Sequence, residues 1–283
     1  MKKILYPTDF SGTAENAFIF ALQIADHLGA SIITVHAFDK PDVSGVNLPD
    51  TLKEVYDSID LEEFENYEDE IPVLKDIAID NGYYHIPMVH VLEEGAAVSA
   101  ILRTANKNKV DLIVMGTTGA GMMENLFFGT VSGKVLEEAH CPVLVVPKTA
   151  TFVGIIDNIA VATNFTEEDA LLIEELKKFR EIMGCHIHVV HVNTDKGGAD
   201  NGQLKSFCER WQHDKKMTPH LVNHTDVNEG LETFVSDNKI DLLALLSHKR
   251  TWFEDLFSKT RAKKISFHQS IPLLVYQSES LST

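Results

Sequence analysis

Short apolar runs alternate with stretches whose apolar residues recur every three to four positions, from the start of the chain to residue 146. Lys3–Pro7, Ser31–Ala37, His85–Leu92, Leu112–Met115 and Pro142–Val146 have strand length and strand composition. Thr13–Leu28 reads as an amphipathic helix closed by Gly29. Leu52–Asn81, stopped at Gly82, then Ala96–Asn108 and Thr130–Ala139 supply the remaining helices. Strands that alternate with helices pair in parallel through right-handed crossovers. The pattern therefore predicts an α/β fold, whose ligands sit at the carboxyl ends of strands where the strand order reverses.

The second half repeats the first. Lys3–Ser11 (KILYPTDFS) aligns with Asn158–Thr166 (NIAVATNFT) at an offset of 155, and Thr34-Val35-His36 falls on Val189-Val190-His191. Further along the offset is 130: Val110-Asp111-Leu112 matches Ile240-Asp241-Leu242, and Cys141–Val145 matches Ile271–Val275. The second copy is thus 25 residues shorter, the loss lying between the two registers. One duplication of this length predicts two tandem domains rather than a solenoid, with residues 1–150 as the first and 151–283 as the second.

Composition narrows the functions. A formal net charge of -17 opposes binding to nucleic acid or an anionic membrane by charge attraction, but a local cradle can still hold a nucleotide. Three cysteines without a pairing pattern give neither a disulfide framework nor a thiolate zinc site. MKKILYPTDF reads as strand and turn rather than a leader, and no run reaches transmembrane length, so the expectation is a soluble cytoplasmic protein.

The chemistry concentrates after the fourth strand. Gly116-x2-Gly119-x9-Gly129-Thr130 leads from an apolar strand through glycines into a hydroxyl-headed helix. Glycine lets backbone N–H groups approach an anion closely, and a helix start adds unpaired donors and the positive dipole end. Gly129-Thr-Val-Ser-Gly133-Lys134 is not a Walker loop, because Val135 stands where Ser or Thr is required. The glycines also fall after the wrong strand for a dinucleotide fingerprint.

This motif, together with Pro7-Thr8-Asp9 at the end of the first strand, resembles the universal stress protein family, and the duplication resembles its tandem two-domain members. The resemblance implies two Rossmann-like domains, each a five-stranded parallel sheet of order 3-2-1-4-5 flanked by helices. It implies ATP, with or without Mg²⁺ or Mn²⁺, as the ligand. Asp9 would contact the adenine end and Ala37 would offer its backbone to the base. Gly116 and Gly119 would line the ribose and phosphate approach, Gly129 and Thr130 would hold phosphates, and Ser132 would reach the distal ones. It further implies that the last strands pair edge to edge, within the chain or in a homodimer.

In the second copy Gly116, Gly119 and Gly129 become Leu246, Lys249 and Lys259, and Asp9 becomes Asn164, while Thr130 is kept as Thr260. That copy is expected to have kept the sheet and lost the cradle. Lys249, Arg250, Lys259, Arg261, Lys263 and Lys264 are either a separate anion site or a solvated basic face.

The functional expectation is an ATP-binding stress-response protein that uses the nucleotide for regulation. The alternatives are a slow ATP hydrolase, for which no catalytic constellation is visible, and a nucleotide-free scaffold or dimerisation protein. Other residues read as structural. His186, His188 and His191 lack a metal-ligand spacing, Asp111 and Asp241 recur in both copies as turn or cap residues, and Cys141 is a buried thiol. The acidic stretch from Asp39 to Glu70 is a lid, a partner surface or, more simply, a solvated helix and loop.

Overall fold

A computed structural model describes residues 2–40, 50–117, 129–150, 156–194, 201–247 and 271–281, with the side chains of residues 50–58, 60, 61 and 201 excepted. Gly119, Thr260 and the basic cluster between Lys249 and Lys264 lie outside the described residues.

The first half runs β1 (Lys3–Pro7), α1 (Gly12–Leu28), β2 (Ser31–Phe38), α2 (Asp50–Asp80), β3 (Met88–Glu94), α3 (Ala97–Asn108), β4 (Leu112–Gly116), α4 (Thr130–Glu138) and β5 (Val143–Val146). The second runs β6 (Asn158–Ala162), α5 (Glu167–Met183), β7 (His186–Asn193), α6 (Asn201–Cys208), β8 (Met217–Asn223), α7 (Val227–Asp237), β9 (Leu242–Ser247) and β10 (Leu273–Gln277). The third strand begins three residues later than the pattern predicts. His85–Pro87 belong to the turn after α2, where the Ile86 N–H donates to the Tyr83 carbonyl at 3.1 Å.

The strands form one ten-stranded sheet of order β3-β2-β1-β4-β5-β10-β9-β6-β7-β8. Each half has the order 3-2-1-4-5, parallel throughout, and the halves join where β5 and β10 pair antiparallel, Leu144 opposite Leu274. The paired residues of both strands are all apolar, so each strand covers the edge that the other would leave exposed. Asn16 on α1 ties down the segment after β5 by donating to the carbonyls of Pro147 and Ala150, both at 2.9 Å.

Cores lie on both faces. Phe18, Leu22, Leu172 and Leu176 pack under α1 and α5, while Ile101, Leu136, Leu231 and Phe234 pack under α3, α4 and α7. α2 is a covering helix: Tyr67, Leu74 and Ala78 are buried at helical spacing, and the Tyr67 hydroxyl bonds the Thr34 hydroxyl at 3.0 Å. Among the described residues no helix is long and apolar enough to cross a membrane.

The duplication extends to backbone detail. Phe10 and Phe165, at equivalent turns, both have positive φ, 56° and 66°. His36 and His191 each direct Nδ1 at the carbonyl of the matching residue, Thr8 at 2.8 Å and Thr163 at 2.7 Å, and each ring packs against the neighbouring Phe. Asp111 and Asp241 accept the N–H groups of Lys3 and Asn158, which is the turn role read from their recurrence.

Candidate functional site

The strand order reverses between β1 and β4, and a cavity of about 280 Å³ opens there at the carboxyl ends of β1, β2 and β4. Six of the seven residues named from the sequence line it: Asp9, Ala37, Gly116, Gly129, Thr130 and Ser132. They come from four separate stretches of chain, so the fold alone brings them together. Thr8, Met115, Ala97 and Ile101 complete much of the wall. The last two belong to α3, which the motif does not reach.

α4 begins at the cavity. Its cap residue Gly129 (φ -67°, ψ 162°) contributes no side-chain hydrogen bond, and its first turn holds no acidic residue. α3 starts in the same way, at Ala96, with neither a side-chain cap nor an acid in its first turn. Two positive helix ends therefore face the space, neither capped by a side chain nor carrying an acid in its own first turn.

Three expected roles change in detail. The Gly129 N–H does not point at a ligand; it donates to the Thr117 carbonyl at 2.7 Å. The N–H groups of Thr130, Val131 and Ser132, the first three helical residues, are the ones that lack intrahelical acceptors. The Ser132 hydroxyl is buried, and its single proton lies between the carbonyls of Thr117 at 2.7 Å and Gly129 at 3.2 Å. Ser132 thus braces the two ends of the glycine segment instead of reaching outward. Gly116 is required by packing as well as by approach. A Cβ there would sit 2.8 Å from Thr13 Cγ2 and 3.1 Å from the Thr13 carbonyl oxygen on α1. Gly116→Ala should lower stability by about 1–3 kcal/mol through this overlap, read as a drop in urea midpoint with an unchanged m-value.

The rear half shows what closes such a space. The equivalent cavity, at the ends of β6, β7 and β9, has shrunk to about 80 Å³, and a separate open groove of about 750 Å³ runs outside it past Asn164, His191, Val192 and Arg210. Val192, Val227 and Leu246 stand where the front half has Ala37, Ala97 and Gly116. Val192 fits because its α7 neighbour is Gly230, the counterpart of Ala100; a Cβ on Gly230 would lie 2.7 Å from Val192 Cγ1. Carboxylates also take up the donors. Asp226 replaces Ala96 and caps α7 through the N–H groups of Asn228 and Glu229. Asp169 replaces Ala14; its buried Oδ2 accepts from the Thr163 hydroxyl at 3.0 Å, the Asn164 N–H at 2.8 Å and the Thr166 N–H at 3.1 Å.

The other residues singled out in the sequence lie elsewhere. Among the described residues lining the front cavity none belongs to α2, and residues 41–49 of the acidic stretch lie outside the described residues. Burial pushes the Cys141 thiol up to about 12, with Asp111 adding to the effect. His186, His188 and His220 form a cluster on the outer strands of the rear half. His188 Nδ1 lies 3.0 Å from His220 Nε2, and its Nε2 lies 3.2 Å from Asn158 Oδ1. Burial, then the neighbouring His186 and His220, lower the pKa of His188 to about 4. The native imidazole stays neutral while the unfolded one takes a proton near pH 6.5. Stability therefore falls as pH drops from about 6.5 to about 4, by on the order of 1–2 kcal/mol after allowance for partial exposure. His188→Ile, which installs the residue the front half carries as Ile33, should flatten that part of the stability profile in urea titrations.

The universal stress protein family model matches residues 1–147. A universal stress protein of Methanocaldococcus jannaschii is 32% identical over 148 residues, covering 52% of this chain and 82% of that protein. One from Thermus aquaticus is 36% identical over 147 residues, covering 51% and 98%. Over the whole length, the crystal structure of a universal stress protein from Archaeoglobus fulgidus superposes with a TM-score of 0.72 at 18% identity, covering 97% of this chain and 96% of that one. At that identity the likeness is one of fold.

Proposed function

Given that the chain belongs to the universal stress protein family, we propose that it binds ATP in its front half and uses the bound nucleotide for regulation. Residues 1–150 are the nucleotide-binding domain in this reading, and residues 151–283 a second domain of the same type that has lost the cradle. One observation carries it. The front cavity gathers small side chains under two uncapped helix N-termini, and the rear half, on the same frame, has filled that space with valines, a leucine and its own carboxylates.

The phosphates would lie on the N–H groups of Thr130, Val131 and Ser132, with the Thr130 side chain beside them. Gly116 and Gly129 leave the approach and the mouth free of side-chain atoms, and Gly119 would extend the same glycine run. Asp9 and Ala37, across the cavity at the ends of β1 and β2, fit the base end, the carboxylate as an acceptor and Ala37 through its backbone. A divalent cation would accompany the triphosphate and shield its charge. The lining offers donors and small surfaces, which suit retention of a ligand better than rapid turnover. Because β5 is already paired with β10, a homodimer needs some other surface of the chain.

Equilibrium dialysis with labelled ATP tests this reading. One ATP per chain is expected. Gly129→Lys, which places in the front half the residue that the rear half carries as Lys259, should abolish binding without lowering the melting temperature. Binding that survives this change would exclude the α4 N-terminus as the phosphate site. A chain that takes up no nucleotide at all would favour the scaffold reading.

A further inference from the structure

A second cavity, of about 460 Å³, lies at the opposite end of the sheet from the first, where α1 and α5 diverge over the β5–β10 junction. Ile4, Leu112, Leu144 and Leu274 floor it, and Leu28 and Phe179 wall it. Its volume and apolar lining are those of a small-molecule site. It is built from both halves, and neither would form it alone.

The internal symmetry shows what is special here. Tyr276, Glu175 and Lys178 line this cavity, while the equivalent positions in the other half carry Val146, Phe20 and Gln23. Phe20 and Val146 are buried and fill their side of the junction. At this end a phenol stands in place of the valine. The Tyr276 hydroxyl has no hydrogen-bond partner among the described residues. Burial, reinforced by the Glu175 carboxylate, holds its pKa above the ordinary tyrosine value, so it remains a neutral donor. Tyr276 is only partly buried, so its hydroxyl is reached from the cavity it lines and can donate to whatever occupies that space.

The charges at the mouth cancel. Lys178 donates to Glu175 Oε1 at 2.6 Å, Asp111 Oδ2 accepts the Lys3 N–H at 2.8 Å, and Lys2 lines the mouth together with Asp111. No net field selects an ion. We propose that this junction cavity is a second ligand site, which takes a neutral, largely apolar small molecule carrying one oxygen that accepts from the Tyr276 hydroxyl. Because both halves contribute its walls, an occupant would brace the front half against the rear. The site is separate from the nucleotide cavity, which lies at the far ends of the same strands.

Isothermal titration of the full chain with 2-naphthol and, in parallel, 2-naphthoate tests the proposal, each with and without saturating ATP. The expected result is one 2-naphthol per chain, with affinity unaffected by ATP and greater than that for the carboxylate. Tyr276→Phe keeps the ring and removes the donor, and should weaken binding about twofold to tenfold. Leu28→Trp fills the cavity from its rim and should abolish binding. The proposal is overturned by absence of saturable binding, by displacement with ATP, or by naphthoate binding as tightly as naphthol. Unchanged affinity in Tyr276→Phe overturns it as well, and this variant decides alone should Leu28→Trp fail to fold.

Discussion

Ala37→Val combined with Ala100→Gly should close the front cavity and leave the fold standing. The pair reproduces Val192 and Gly230 of the rear half, where the valine methyls occupy the place that the helix glycine vacates. Ala37→Val alone would press its methyls against the Ala100 side chain, since a Cβ at the equivalent Gly230 comes within 2.7 Å of Val192 Cγ1. The glycine relieves that overlap at a helix-propensity cost of about 1 kcal/mol. The cavity then carries two extra methyl groups in its wall, and a ligand must displace them or shift. Overpacking of this kind costs about 1–3 kcal/mol, which corresponds to a fall in ATP affinity of about fivefold to more than a hundredfold. Dialysis measures the affinity, and a melting curve within a few degrees of wild type shows that the loss is local. Unchanged ATP binding in a well-folded double variant would mean that the nucleotide does not enter between β2 and α3.

Asp169→Ala is expected to have the larger effect on stability. Its buried carboxylate satisfies three donors at once, and alanine would leave the Thr163 hydroxyl and the Asn164 and Thr166 N–H groups without it. Removing a charged acceptor from these buried donors costs about 1–3 kcal/mol; the Thr166 N–H among them is the capping-box bond of α5, while the Asp169 N–H keeps its bond to the Thr166 hydroxyl. A loss of about 1–3 kcal/mol should appear in urea unfolding, and Asp169→Asn, which retains one acceptor oxygen, should recover part of it. Ala14→Asp in the front half is the converse experiment. It offers the first domain an internal carboxylate where the second already has one, and should weaken ATP binding by bringing negative charge to the cavity. A small stability change in Asp169→Ala would mean that water replaces the carboxylate at those donors.

Much of this was legible in the sequence because it is written in local or repeated terms. The alternation of strands and helices, the duplication at two offsets and the position of the glycine motif all survive translation into structure. His36 and His191 make matching hydrogen bonds because they occupy matching places in a repeated backbone. The position of the front cavity was readable because a strand end, a glycine run and a helix start are adjacent in the chain. The onset of β3 was misplaced because His85-Ile86-Pro87 has strand composition, while the turn that holds it depends on a carbonyl of the preceding segment.

By itself the sequence determined the class of fold, the two-copy plan and which copy carries the glycine motif, since periodicity and glycine spacing are properties of the chain. Only the tertiary structure decided which donors remain open. A hydrogen-bond donor is spent or available according to what lies across from it, as Thr117 does from Gly129 and Asp169 from Asn164. It likewise decided that Gly116 answers to Thr13 and that Ala37 and Ala100 act together, because those contacts join residues far apart in the chain. The junction cavity with Tyr276 came from the same source: it exists only where one half's apolar face meets the other's, and no local pattern encodes the space between them.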